Sequence, residues 1–201
     1  MIMSKLPKQD RGHERRNDIL DAAGRILIEL GEQGVSMHAV AASAGASTGS
    51  MYHFFRNRGQ LLDALFERHL ERMKAFLPPH SLDAPEPWRA MSVDQLIDGL
   101  FGQALAYFAR HPDAIILVAT RDLSFPAFKE VVATVLKHRM DARKAEEVAK
   151  MLVAVSTGTL QYLQKQPTLS PDILINHIPR VLASYLSSCE AQHCLPDQQE
   201  R

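Results

Sequence analysis

The chain has 201 residues, of which 46% are hydrophobic and 23% are charged, and its 23 basic side chains are balanced by 23 acidic ones. This balance excludes a histone-like polycation and an acidic disordered protein. Only two cysteines occur, Cys189 and Cys194, which excludes a disulfide scaffold. No apolar run reaches the roughly 18 residues of a membrane span, and the N-terminus lacks the apolar core of a secretory signal. We therefore expect a soluble, cytoplasmic protein.

Helical periodicity runs through almost the whole sequence, without a strand pattern. In the first third of the chain, apolar residues at spacings of three and four predict a helix that starts near 12–14 and ends at 31, and further helices near 37–44, 48–55 and 60–76. Prolines at 78, 79, 85 and 87 predict a connector over 78–88, because proline lacks the backbone N–H. Beyond it, helices are predicted near 92–110, 112–121, 125–139, 142–165 and 171–189. The fold class is therefore all-α, with about nine helices.

Two of the short helices meet at Gly45, in a stretch without acidic residues between Gln33 and Leu62. Ser36 is a predicted N-cap of the first, and Ser47 or Thr48 of the second. The second helix begins with small, polar, uncharged residues, so it is narrow enough to enter the major groove of DNA, about 12 Å wide. The pattern favours a helix-turn-helix, although two short helices around a glycine also occur in simple helical bundles.

At the level of individual residues, this region resembles the N-terminal domain of the tetracycline-repressor (TetR) family. The resemblance covers about residues 16–65. It rests on Ile19–Ala23, Gly31, Gly34–Met37, Val40, Ala41, Ala44–Ser47, Tyr52–Phe55, Arg58, Leu61 and Leu62. It implies a helix-turn-helix DNA-binding domain of three helices over 1–57 and a helical ligand-binding and dimerisation domain over 58–201. A helix at about 58–77 would connect the two domains.

The resemblance also implies roles in DNA binding for particular positions. Bases would be read by Thr48, Gly49 and Ser50. Phosphates would be contacted by Ser36, Ser47, Tyr52, His53 and Arg58. The residues themselves leave other interpretations open: Ser36 as a helix cap only, Tyr52 as a half-buried helix residue and His53 as a solvated surface side chain. A basic cluster upstream would be either an arm that follows the DNA or a disordered extension; it comprises Lys5, Lys8, Arg11, Arg15 and Arg16.

The rest of the chain carries no sequence motif, so its site residues follow from the resemblance and from apolar patterning. The candidates for a ligand pocket are Phe101, Leu105, Phe108, Leu117, Thr120, Arg121, Phe125, Phe128 and Leu152. For each of them, ordinary core packing is the alternative interpretation. The candidates for a dimer interface on the last two helices are Met151, Val155, Gly158, Tyr162, Ile178, Leu182 and Tyr185.

The resemblance implies a ligand-responsive transcriptional regulator, and we expect a repressor that a small-molecule effector releases from a palindromic operator. Its partners would be double-stranded DNA, a second copy of the chain and the effector, with no cofactor, metal or membrane. Cys189, His193 and Cys194 fall short of a closed zinc site. A small helical enzyme and a protein-interaction module without DNA binding are the alternatives. The first is disfavoured because the sequence has no acid–base pair or nucleophile motif. The effector, the operator and the regulated genes are undetermined by the sequence, as is activation versus repression.

Overall fold

The computed structural model describes residues 8–76, 82, 84–121, 126–165 and 171–193, and all secondary structure in these ranges is helical. The prediction of an all-α chain is confirmed. The ten continuous helices described are α1 (Lys8–Gly34), α2 (Met37–Ser43), α3 (Thr48–Phe54), α4 (Arg58–Lys74), α5 (Pro85–Ala90), α6 (Val93–Ile97, Asp98–Gly102 and Gln103–Arg110), α7 (Pro112–Thr120), α8 (Pro126–Leu136), α9 (Ala142–Gln164) and α10 (Ile173–His177 and Ile178–His193). Two of these segments are π-helical turns, Asp98–Gly102 and Ile173–His177. Among the described residues, no helix combines the length and apolarity needed to cross a membrane.

The short helix α5 was not predicted, because it lies partly in the proline-rich segment assigned as a connector. Pro85 is its first residue and Pro87 lies in its first turn. Proline is tolerated at these positions, since the first N–H groups of a helix have no partner within the helix. The other nine helices begin and end within four residues of their predicted bounds, except that α1 begins four to six residues before its predicted start.

One break occurs inside α1, at Gly31, where φ is 66° and ψ is −178°. A positive φ is costly for a residue with a Cβ, and glycine adopts it readily. The predicted helix end at Gly31 therefore corresponds to a real interruption, after which one further turn continues to Gly34.

The chain divides into two compact units, Met1–Glu71 and Arg72–Arg201. The division lies within α4, later than the predicted domain boundary at residue 57. Most of α4 belongs to the first unit, where the Arg68 guanidinium lies 2.7 Å from the carboxylate of Asp21 in α1. The helix predicted as a connector is therefore largely part of the N-terminal unit.

The core of the first unit is built from the apolar faces of α1 to α4. Within α1, buried side chains recur at the spacings of three and four that an amphipathic helix requires. The largest buried side chains of this unit are Ile19, Leu20, Leu27, Met51, Phe55, Leu61 and Leu65. Since α1 packs against α2 and α2 packs against α3, the exposed side chains of α3 are held on a rigid support.

In the second unit, α6 and α10 pack antiparallel. The start of α6 contacts the later part of α10, and its last segment, Gln103–Arg110, contacts the π-helical turn Ile173–His177. The long helix α9 packs against α7, α8 and α10. The last two helices, α9 and α10, each carry buried residues along one face and exposed residues along the other.

Candidate nucleic-acid interface

The turn between α2 and α3 is a Schellman motif centred on Gly45. The Ala46 N–H donates to the Ala41 carbonyl at 2.9 Å, and the Gly45 N–H donates to the Ala42 carbonyl at 3.2 Å. Gly45 has φ 57°, which the motif requires and a side chain would oppose. The sequence-based assignment of Gly45 as the tight turn therefore agrees with the geometry.

Both predicted serine caps are present. The Ser36 hydroxyl accepts a hydrogen bond from the Ala39 N–H at 3.1 Å, and the Ser47 hydroxyl accepts one from the Ser50 N–H at 3.2 Å. Ser47, not Thr48, is thus the N-cap of α3. A serine cap uses an oxygen lone pair, so the hydroxyl proton is left to donate to another acceptor.

The two faces of α3 differ sharply in exposure. Met51 is fully buried, which anchors one face of the helix in the core. On the open side, Thr48 and Gly49 are exposed, and the Tyr52 side chain is 52% exposed. His53 is also exposed, and Ser50 is half-buried. The short helix that follows the turn therefore carries the three predicted base-reading residues, and it also carries Tyr52 and His53.

Arg58, a predicted phosphate contact, is engaged within the first unit. Its Nη2 donates to the backbone carbonyl of Glu32 and lies 3.4 Å from the Glu32 carboxylate. These contacts join the start of α4 to the last turn of α1, over 26 positions of sequence. No local pattern signals such a pairing, and the sequence analysis did not anticipate it.

The basic cluster upstream of α2 is not a disordered arm where the structure describes it. Arg15 and Arg16 lie in α1 with defined contacts: Arg15 donates to the carbonyls of Ala44 and Gly45, and the Arg16 guanidinium lies 5.5 Å from the centroid of the Phe55 ring. Lys5 lies outside the described residues, as do the side chains of Lys8 and Arg11. The interpretation of Arg15 and Arg16 as part of a disordered extension was wrong, because both contact the helix-turn-helix.

Most of the predicted pocket residues of the second unit belong to its core. Phe101, Leu105, Phe108, Leu117 and Leu152 are buried. Phe128 is half-buried, and its ring meets that of Phe101 edge to face at 5.2 Å.

The polar candidates for the pocket are placed differently. The Thr120 hydroxyl donates to the carbonyl of Ile116 in its own helix at 3.0 Å, so its proton is already used. Arg121 is half-buried. Phe125 lies outside the described residues, as do Cys194 and the side chain of His193. Cys189 is buried in α10.

The predicted dimer residues fall into two groups. Met151, Gly158 and Tyr162 are exposed along α9, and Val155 and Tyr185 are half-buried. Burial raises the pKa of the Tyr185 phenol, with a further contribution from a hydrogen bond to Cys189.

Two predicted dimer residues of α10 are placed in the core instead. Ile178 and Leu182 are only 3% and 1% exposed in the single chain. They lie four positions apart, on the covered face of the helix. The open apolar residues of α10 are instead Ile175 and Val181, which are 51% and 54% exposed. Helical spacing identified α10 as amphipathic, but it did not show which face the chain itself covers.

Comparison with known proteins bears directly on this helix-turn-helix. The family model described as bacterial regulatory proteins, tetR family, matches residues 19–65. The matched segment extends from α1 into α4 and contains all of α2, the Gly45 turn and α3. Residues 19–65 therefore match the helix-turn-helix segment of the TetR family.

Individual relatives show how far the similarity extends. The transcriptional regulator PksA of Bacillus subtilis is 37% identical over 57 residues, which is 28% of each chain, so the chain spans little more than a quarter of that relative. The nicotine-responsive transcriptional repressor HdnoR of Paenarthrobacter nicotinovorans is 23% identical over 180 residues, covering 90% of this chain and 84% of HdnoR. A TetR-like regulator from Rhodococcus sp. RHA1 superposes with a TM-score of 0.65 at 19% identity, over 92% of this chain and 99% of that one. The structural likeness shows a shared fold.

Proposed function

We propose that this chain is a ligand-responsive transcriptional repressor of the TetR family that binds operator DNA as a homodimer in the cytoplasm. The observation that carries the proposal is the exposed start of α3, mounted on a rigid turn and on a buried Met51. A helix presented in this way can enter the major groove end-on. Two such helices, one from each subunit, would reach successive major grooves.

Sequence reading is assigned to the first turn of α3. Thr48 and Ser50 are short hydroxyl side chains that can donate to or accept from base edges. Gly49 lies between them, and a Cβ built there would meet no described atom within 4 Å. Packing within the chain therefore does not require glycine at this position. A close approach of the α3 backbone to DNA supplies the reason for it.

Phosphate binding is assigned to the polar groups around α2 and α3. The hydroxyls of Ser36 and Ser47 keep a proton after capping, and that proton can be donated to a phosphate oxygen. The exposed side chains of Tyr52 and His53 flank the same surface. Arg58 would add positive charge if its guanidinium exchanges the Glu32 carboxylate for a phosphate.

Regulation by a small molecule is assigned to the second unit. HdnoR is described as nicotine-responsive, and the alignment to it covers most of the second unit of this chain. The aromatic pair Phe101 and Phe128 lies in the same unit, with rings that a planar or apolar ligand could contact. To convert mostly bound repressor into mostly free repressor, the ligand must favour the released conformer by about 5 kcal/mol.

Dimerisation is assigned to α9 and α10. Met151 and Tyr162 on α9, and Ile175 and Val181 on α10, are large apolar side chains between 47% and 61% exposed. A second copy of the chain would cover them by packing its own α9 and α10 against these helices. The proposal treats the chain as a regulator without enzymatic activity.

Selection of DNA ligands tests the proposal. The full-length chain is incubated with random-sequence duplexes, and bound DNA is recovered and sequenced over several rounds. We expect a palindromic motif whose half-sites lie about one helical turn apart, bound by two chains per duplex. Binding without any sequence enrichment would contradict the assignment and favour a helical interaction module. Candidate ligands are also incubated with the chain and analysed by mass spectrometry. Conversion of a ligand to a product would favour a small helical enzyme over a regulator.

A further inference from the structure

Arg15 lies on α1, yet its guanidinium holds the turn that leads into α3. Its Nη1 donates to the carbonyl of Ala44 at 3.2 Å, and its Nη2 donates to the carbonyl of Gly45 at 2.5 Å. The two acceptors are 29 and 30 positions away in the sequence. The Arg15 side chain is 34% exposed, so the contact is partly screened from water.

The contact matters because of where the two carbonyls lie. They lie at the C-terminal end of α2, where backbone carbonyls lack helical partners and the helix dipole is negative. A guanidinium is planar and carries donors in a fixed fork, so it constrains the direction of both carbonyls at once. Gly45 comes two residues before Ser47, the N-cap of α3. Fixing Ala44 and Gly45 therefore fixes the direction in which α3 leaves the turn.

The same contacts argue against a direct role of Arg15 in binding phosphate. Both terminal nitrogens already donate to backbone carbonyls, and the Asp18 carboxylate lies 3.8 Å from Nη1. A phosphate that bound the remaining N–H groups would lie beside the negative charge of Asp18 and would compete with the carbonyls for the orientation of the guanidinium. These contacts place the guanidinium where it can hold the turn.

We propose that Arg15 is a positioning residue for the recognition helix: it sets the direction of α3 from within the domain and thereby controls sequence discrimination without contacting DNA. The proposal rests on the proposed function, because discrimination presupposes that α3 reads DNA. Its structural half, that Arg15 holds the Gly45 turn, stands independently of DNA. The two halves therefore need separate measurements.

The first measurement is amide hydrogen exchange of the full-length chain without DNA. Arg15→Met removes the fork and keeps an apolar stem of similar length. Arg25→Met is the matched control, because Arg25 is an exposed arginine on the same helix. We expect Arg15→Met to accelerate exchange about tenfold at the hydrogen-bonded amides of Gly45, Ala46 and Ser50, with Arg25→Met unchanged. Unaltered exchange at these amides would overturn the proposal, as would an equal loss of protection throughout α1 to α4.

The second measurement compares the duplex selected by the wild-type chain with an unrelated duplex of equal length. Arg15→Met is expected to reduce the ratio of the two affinities by about tenfold or more, while the dependence of binding on salt keeps its slope. Arg15→Lys restores the charge but not the fork, so it should not restore the ratio. A slope that falls by about one counterion per half-site and recovers in Arg15→Lys would identify a phosphate contact and overturn the proposal.

The exchange and binding measurements distinguish an error in the role of Arg15 from an error in the proposed function. If the wild-type chain shows no sequence preference, the proposed function is wrong, and the role of Arg15 in positioning a DNA-reading helix falls with it. In that case, the hydrogen-exchange measurement still decides whether Arg15 holds the Gly45 turn. If the wild-type chain discriminates and Arg15→Met discriminates equally well, only the proposal for Arg15 is overturned.

Discussion

Arg139 and Glu190 form a two-point ion pair in the second unit: Nε lies 2.6 Å from Oε1, and Nη2 lies 3.0 Å from Oε2. The third nitrogen of the guanidinium, Nη1, donates to the carbonyls of Trp88 and Met91 at 2.8 and 2.7 Å. The two charged side chains are only 13% and 23% exposed. A single guanidinium thus joins α10, the segment before α9 and the end of α5.

Arg139→Ala should lower the free energy of unfolding of the second unit by about 2 kcal/mol, because it leaves a partly buried carboxylate and two carbonyls without their donor. Urea denaturation followed by the fluorescence of Trp88, the single tryptophan and a buried one, measures the effect. Arg143→Ala is the control, since its pair with Glu147 is exposed and should contribute less than about 0.5 kcal/mol. Equal losses in the two variants would contradict the prediction.

Gly49→Ala should change stability and DNA binding in opposite directions. The new Cβ meets no described atom, and alanine is favoured over glycine within a helix, so the variant should gain up to about 1 kcal/mol in stability. Binding to the selected duplex should fall because the backbone no longer approaches DNA closely. Thermal melting and gel-shift titration measure the two effects. Gly45→Ala is the contrasting variant and should lose stability, since φ is positive there. If Gly49→Ala binds the selected duplex as tightly as the wild-type chain, the α3 backbone does not approach DNA closely at this position.

Thr48 and Ser50 should determine which sequences are bound, whereas Ser47 should determine how tightly all sequences are bound. Thr48→Ala and Ser50→Ala remove hydroxyls that we propose to face base edges, and each good base contact is worth about 1–3 kcal/mol of discrimination. Ser47→Ala removes the cap of α3, which costs about 1 kcal/mol without altering the bases read. Repeated selection with each variant checks the distinction. If Thr48→Ala and Ser50→Ala both select the same motif as the wild-type chain, with undiminished information content, α3 does not lie in the groove as proposed.

Arg58→Ala should weaken binding to all sequences and reduce the salt slope by about one counterion per half-site. This outcome requires that Arg58 leaves the Glu32 carboxylate for a phosphate when DNA binds. Tyr52→Phe removes a hydroxyl without removing charge, so it should lower affinity at an unchanged slope. Titrations at several salt concentrations supply both values. A slope unaffected by Arg58→Ala would mean that Glu32 remains its partner in the complex.

Gly158→Glu should convert a dimer into a monomer and abolish operator binding. Gly158 is exposed on α9, and a Cβ there meets no described atom, so the substitution is compatible with the fold of the single chain. It places a charge among the apolar residues that a second copy would cover, including Met151 and Tyr162. Sedimentation velocity measures the oligomeric state, with Ala142→Glu at the exposed start of the same helix as the control. An intact dimer of Gly158→Glu would refute the placement of the interface.

Local features of this protein were predictable from the sequence because they depend on residues three or four positions apart. Ser36 and Ser47 cap the helices that follow them, since a serine hydroxyl accepts from an N–H three residues on. Gly45 takes the positive φ of the turn, and the apolar periodicity defines the all-α class. The helix-turn-helix could be predicted because its caps, its turn and its apolar positions are likewise close together in the sequence.

Only the tertiary structure decided which distant groups meet. Arg15 contacts the turn near Gly45, and Arg58 contacts Glu32, over separations of 26 to 30 residues that no periodicity records. Likewise, Ile178 and Leu182 are covered by the chain itself. An amphipathic pattern establishes that a helix has an apolar face, but the neighbour that covers that face is set by how all the helices pack at once. The sequence therefore determined the helices and the helix-turn-helix motif, and packing determined which side chains support that motif and which remain exposed at the surface.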